Sequence, residues 1–157
     1  MASGDDRAAT LDLDGTSLRI GLIETRWNTD IVQRLHDGVH RGLASFGVSE
    51  LVEVTVPGAY ELPLAAQMLA RSGTVDGIVV IGAVIRGETT HYELVAGECG
   101  RAIMNVQLET EIPIGMGVLT VENLDQAMAR SQGPGGHNVG EEAATVAVEL
   151  ANLKQMI

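Results

Sequence analysis

Lysine is nearly missing from this chain of 157 residues: Lys154, close to the end, stands alone beside nine arginines. Chemistry that runs through a Schiff base on an interior lysine therefore has no residue to use. Cysteine is as scarce. Cys99 is the only one, so no internal disulfide can form, which fits a reducing compartment. The opening MASGDDRAAT lacks the apolar stretch of a secretory leader. The longest apolar run, residues 78–85, is interrupted by Gly82 and falls far short of the roughly 20 residues that cross a bilayer. A cytoplasmic protein without a membrane segment is expected. Positive charge is also short. A formal net charge of -11 repels nucleic acid and acidic lipid, both of which need a basic face. Any anionic ligand must be held by local groups. There is no phosphate loop, no GxGxxG and no GxSxG, so the common cofactor and nucleophile motifs are missing.

What is present is an alternation of strand and helix. Residues 18–24 (LRIGLIE) read as a buried strand, after which Ile31, Leu35, Val39, Leu43 and Phe46 recur at helical spacing up to Gly47. Residues 51–56 alternate as a second strand, and 60–71 (YELPLAAQMLAR) form a second helix with Pro63 in its first turn. Residues 77–85 (GIVVIGAVI) lack polar alternation, as suits a central parallel strand covered on both faces. A third helix spans 91–106, with Tyr92, Val95, Cys99, Ala102, Ile103 and Val106 on one stripe. Residues 112–119 make a fourth strand, 123–130 a short helix, SQGPGGH a loop, and 140–156 a final alanine-rich helix. Strands separated by helices of this length form a parallel sheet covered on both sides. The expected architecture is a single α/β domain over residues 18–157, an open doubly wound sheet of about four parallel strands, the flavodoxin-like α/β/α sandwich. Residues 1–17 form a polar N-terminal arm in which LDLDG is a candidate edge strand.

In such sheets ligands sit beyond the carboxyl ends of the strands, so the residues after each strand carry the information. These are Trp27 and Asn28, the run PGAYELP (57–63), the stretch GAVIRGETTH (82–91), and residues 120–123. The chain has only four aromatics, Trp27, Phe46, Tyr60 and Tyr92. Two of them, Trp27 and Tyr60, fall at strand ends, where an aromatic can stack on a flat heterocycle. An isolated aromatic more often caps the core. Two on one edge with a histidine favour a site.

GAVIRGETTH can be taken residue by residue. Thr90 and Glu93 match a capping box, which puts His91 at the first position of the third helix. Backbone N–H groups at a helix start attract anions. Gly87 lets the chain turn and a ligand approach the backbone. Cations favour the opposite helix end, so a histidine here is placed for use, not for helix stability. Arg86 is expected to be a structural partner of a nearby carboxylate or of a subunit neighbour rather than a ligand contact. His36 and His40 lie four apart on the first helix, a spacing that suits a metal. No third ligand is placed by the sequence, so a solvated face is expected and no metal is assigned.

Taken in order, Trp27-Asn28, PGAYELP, GAVIRGETTH, PIGMGVLTVENLDQAMAR (113–130) and NVGEEAATVAVELANL (138–153) resemble the lumazine synthase family of riboflavin biosynthesis. The resemblance implies condensation of 5-amino-6-(ribitylamino)uracil with 3,4-dihydroxy-2-butanone 4-phosphate, releasing phosphate and water, with no cofactor. The nucleophile is the substrate's own amine, in keeping with the shortage of lysine. By position, Trp27 stacks on the pyrimidine, Asn28, Ala59, Tyr60 and Glu61 surround the ribityl chain and the strand-two loop, Val84 and Ile85 line the ring edge, and Gly58 and Ala83 are further substrate-binding positions. His91 relays protons. Gly87, Glu88 and Thr89 face the phosphate, which Arg130 binds. The resemblance further implies a homo-oligomer of pentameric units, with Arg130 and the fourth-strand residue supplied by the adjacent subunit. Riboflavin synthase enters as a candidate partner.

Two positions depart from the family's pattern. Asn138, Val139 and Gly140 stand where Asn-Lys-Gly is usual, and Met116 stands where an aromatic is usual. The first removes a basic partner of the phosphate, so either phosphate binding is weaker or His137 substitutes. The second thins the stacking on one side of the ring. These departures leave one other reading, a lumazine- or flavin-binding relative without turnover. Pentamer, decamer and icosahedral shell are all open from the sequence.

Overall fold

The Val- and Ile-rich run at residues 77–85 forms the strand around which the rest is arranged. The computed structural model describes residues 12–157. Four strands, β1 (Arg19–Thr25), β2 (Glu50–Val56), β3 (Gly77–Ile85) and β4 (Ile114–Val121), make one all-parallel sheet in the order β2-β1-β3-β4. They are joined by helices α1 (Thr29–Ser45), α2 (Leu62–Ala70), α3 (His91–Thr110), α4 (Leu124–Ala129) and α5 (Val139–Met156). The order and direction are those of a flavodoxin-like sandwich, as the alternation predicts. Among the described residues, no helix is long and apolar enough to cross a membrane.

Strand periodicity divides the core. Ile20, Leu22, Val79, Ile81 and Leu119 face α1 and α5, whereas Ile23, Ile78, Val80, Ile114 and Val118 face α2 and α3. The α1–α5 layer is packed unusually close through small residues. A methyl on Gly115 of β4 would lie 2.0 Å from Ala143 O of α5, and one on Gly140 would lie 2.3 Å from Leu35 O of α1. Ala143, Ala144, Ala147 and Ala151 are buried along the same face of α5. Cys99 is buried against α2 and the sheet, and burial pushes its thiol up to about 11, out of the reactive range.

Several boundaries differ from those the sequence predicts. Residues 59–61 form a single 3₁₀ turn, and the α-helix starts only at Leu62 with Pro63 in its first turn. β4 begins at Ile114, two residues late, because Pro113 has no N–H to give the ladder and offers only its carbonyl to Ile78 N at 2.8 Å. α3 runs on to Thr110, and Glu111 ends it in the left-handed conformation at φ 56. Lys154 Nζ donates to the carbonyl of Glu111 at 2.8 Å. The expected edge strand over residues 11–15 begins outside the described residues. Residues 12–15 run without regular structure, and Asp14 exchanges two hydrogen bonds with the Asn152 side chain of α5, at 2.9 and 2.8 Å.

At the amino end of the sheet, Asp76 is gripped by Arg19 through the backbone N at 2.8 Å, Nε at 3.1 Å and Nη2 at 3.0 Å. Those bonds, against partial desolvation, hold the Asp76 carboxyl below its ordinary value. A depressed carboxyl stabilises the fold above its unfolded pKa, near 4, and loses that contribution as pH falls through the lower folded value. Asp76→Asn is thus expected to cost about 1 kcal/mol at neutral pH, kept low because both partners are partly exposed. The difference should shrink below about pH 4. Denaturant unfolding at pH 7 and pH 3 checks this, and a pH-independent difference would overturn it.

Candidate active site

The sheet order reverses between β1 and β3, and a cleft of about 670 Å³ opens beyond their carboxyl ends. It is bounded by Trp27 and Asn28 after β1, by residues 58–61 after β2, and by Ala83, Val84, Ile85, Gly87 and Thr89 at the end of β3 and beyond. His91 closes it from the first position of α3. Twelve of the residues named from the sequence as site candidates therefore meet in one place: Trp27, Asn28, Gly58, Ala59, Tyr60, Glu61, Ala83, Val84, Ile85, Gly87, Thr89 and His91. Trp27 is 72% exposed and Tyr60 56%. Neither caps the core; both present a largely uncovered ring to the cleft.

Local geometry explains the arrangement. Asn28 adopts the left-handed conformation at φ 58, which asparagine tolerates better than most residues. Its Nδ2 donates to Ala83 O at 2.9 Å, tying the end of β1 to the end of β3 across the floor of the cleft. Glu61 Oε2 accepts from Gly58 N at 3.0 Å and fixes the turn after β2. Gly58 lies under the indole, where a methyl would stand 3.2 Å from Trp27 Cδ1 and the ring would have to shift by a few tenths of an ångström. Gly87 is different. It is not among the positive-φ glycines, and a methyl on it would meet nothing within 4 Å. The expected sharp turn is not what keeps Gly87 bare; the open space beside it remains free for a ligand.

The start of α3 corrects one expectation. Thr90 makes no side-chain cap, so the capping box is not formed. The Glu93 carboxylate turns instead to Arg86 Nη1, and Arg86 Nε donates to Glu122 Oε2 at 2.6 Å. A guanidinium outcompetes a backbone N–H for a carboxylate because both partners are charged. The pairing expected for Arg86 is found, and it holds the Glu93 carboxyl below its ordinary value. The same guanidinium lies 4.2 Å from the centre of the Tyr92 ring, which it steadies by a cation–π contact. His91 is thus carried on a first turn pinned from both sides. Its own N–H reaches Thr89 Oγ1 at 3.3 Å.

Three candidates do not line this cleft. Glu88 is exposed on the loop before α3. Met116 is exposed on β4, the edge strand farthest from β2. Arg130 caps the end of α4, with Nη1 donating to Gln126 O at 3.1 Å and no ion pair among the described residues. Its carbonyl accepts from Val139 N at 2.9 Å, so the position lacking the usual lysine sits directly beside it. His137, the proposed replacement cation, is paired with Glu142 at 3.1 Å. Four lining residues were not singled out from the sequence: Thr25, Tyr92, Leu94 and Val95. Thr25 ends β1, and the strand-end rule applied two residues before Trp27 would have named it. Tyr92, Leu94 and Val95 belong to the same turn as His91.

The fold and the cleft define an open α/β protein with a strand-end ligand site, guarded by a histidine at a helix start and flanked by two exposed aromatics. Comparison with known proteins makes this specific. The family model described as 6,7-dimethyl-8-ribityllumazine synthase matches residues 17–155. The chain is 45% identical over 148 residues to the 6,7-dimethyl-8-ribityllumazine synthase of Azoarcus sp., covering 93% of this chain and 92% of that protein. It is 43% identical over 152 residues to that of Paracidovorax citrulli, covering 96% of each. With that of Paraburkholderia phymatum it shares 46% identity over 144 residues, 90% of this chain and 81% of the relative. The chain belongs to the 6,7-dimethyl-8-ribityllumazine synthase family.

Proposed function

We propose that this chain condenses 5-amino-6-(ribitylamino)uracil with 3,4-dihydroxy-2-butanone 4-phosphate to 6,7-dimethyl-8-ribityllumazine, the penultimate step of riboflavin biosynthesis. The observation that carries the reading is His91, set at the mouth of the strand-end cleft with the uncovered Trp27 ring lining the same cavity. Trp27 stacks on the pyrimidine, with Val84 and Ile85 along its edge. The polar groups of Asn28, Tyr60 and Glu61 border the ribityl chain. The substrate's amine attacks the ketone carbonyl, and His91 moves protons as the imine forms, as phosphate leaves and as the second ring closes. Holding two reactants in one cleft supplies most of the rate. No protein nucleophile is needed.

The phosphate is received at the first turn of α3, beside Gly87 and Thr89, and by Arg130 of an adjacent subunit. Arg130 and Met116 lie outside the cleft of their own chain, which supports a site completed by a second copy. The outer faces of α2 and α3 also leave Leu64, Met68, Met104 and Leu108 exposed, an apolar surface suited to assembly. Pentameric units in the cytoplasm, with riboflavin synthase as the enzyme that consumes the product, complete the proposal.

Mixing purified protein with both substrates and following lumazine fluorescence tests it. Product is expected well above the uncatalysed background. Saturable binding with no added product would instead establish a lumazine- or flavin-binding relative without turnover. His91→Ala is expected to lower kcat on the order of 10- to 100-fold and to alter its pH profile, a moderate loss because proximity survives. An unchanged kcat across pH would remove the proton role.

A further inference from the structure

Away from the cleft, three side chains that the sequence scatters over 18 positions converge, with all ligand atoms within 4.8 Å of one another. We propose that His36, His40 and Glu53 form a binding site for one divalent transition-metal ion, with zinc the best chemical match. The site is built by the fold. His36 and His40 stand one turn apart on α1, their ring centroids 4.4 Å apart. Glu53 comes from the edge strand β2, paired in register with Leu22 of β1, on the face where Leu51 packs towards α1. His40 Nε2 lies 2.6 Å from Glu53 Oε1, and His36 Nε2 lies 3.5 Å from the same oxygen. None of the three lines the strand-end cleft.

A fourth residue makes this more than a chance encounter of exposed groups. Glu24 Oε2 of β1 holds His36 Nδ1 at 2.8 Å. That bond fixes the ring and leaves Nε2 on the side of Glu53. A carboxylate on the far nitrogen is the usual orienting partner of a metal-bound imidazole. Two imidazoles and one carboxylate are a normal zinc set, with water in the fourth position. Bonds of roughly 2.0–2.1 Å in a tetrahedron put ligand atoms about 3.3 Å apart. The 3.5 Å pair already fits, and the 2.6 Å pair opens slightly as the ion replaces the shared proton. Two carboxylates and one dication balance in charge. Nickel and copper should compete, since imidazole suits them as well. The bound ion ties the edge strand β2 to α1.

The test uses full-length protein without a polyhistidine tag, stripped with EDTA and titrated with zinc chloride by isothermal calorimetry. One ion per chain is expected. His40→Gln and Glu53→Gln, both partly exposed and so compatible with folding, should each weaken binding more than about 100-fold, and Glu24→Gln on the order of 10-fold. Zinc should raise the melting temperature of the starting protein and not of His40→Gln. No heat of binding, or equal affinity in the starting protein and His40→Gln, would overturn the site. Lumazine formation plays no part in these readouts, so the result is independent of the proposed activity.

Discussion

Replacing Arg130 by alanine is expected to raise the KM for the phosphorylated substrate on the order of 100-fold while leaving that for the pyrimidine nearly unchanged. The size follows from losing charge-assisted bonds to a phosphate, which a planar guanidinium makes two at a time. It should be large here because helpers are few. Val139, beside the Arg130 carbonyl, brings no charge, and His137 is engaged by Glu142. The converse substitution Val139→Lys is expected to lower the same KM. Steady-state kinetics with each substrate varied in turn decides the matter, and equal changes in both KM values would refute a phosphate role for Arg130.

The largest effect on stability is expected from Gly115→Ala. The added methyl would sit 2.0 Å from Ala143 O and 2.8 Å from Ala143 C, atoms of the α5 backbone that cannot rotate away. β4 and α5 would have to separate, in the layer where small residues allow the closest packing. Overpacking of this kind costs about 3 kcal/mol, which lowers Tm on the order of 10 °C in a chain of this size. Gly133→Ala is the control, because nothing lies within 4 Å of its position and it is not a positive-φ glycine. Thermal unfolding of both variants reads the difference. A Gly115→Ala protein melting with the Gly133→Ala control would show that the sheet and helix are free to part.

The parts of this molecule that were legible in the sequence are those where one physical signal acts alone. β3 matches its expected bounds because an unbroken run of branched residues has no competitor, and the strand-end rule then gathers twelve of the named site residues into one cleft. The misses occur where two signals compete. Ile112 and Pro113 look like strand by hydrophobicity, but proline cannot join the ladder. Thr90 and Glu93 have the spacing of a capping box, yet a guanidinium distant in the helix pattern takes the carboxylate. Nothing in the sequence around His36 and His40 points to Glu53, because the pairing of β2 with β1 is a fact of three dimensions. Gly115 gave no sign of its close contact for the same reason.

The solitary lysine, lying at the end of α5 with its ammonium against the Glu111 carbonyl, makes this chain nearly silent to amine-directed reagents. Apart from the chain terminus, a succinimidyl dye would find one lysine per subunit, exposed on the chain and outside the cleft. Labelling there should be uniform from chain to chain, whereas bifunctional amine cross-linkers would report little about how copies assemble.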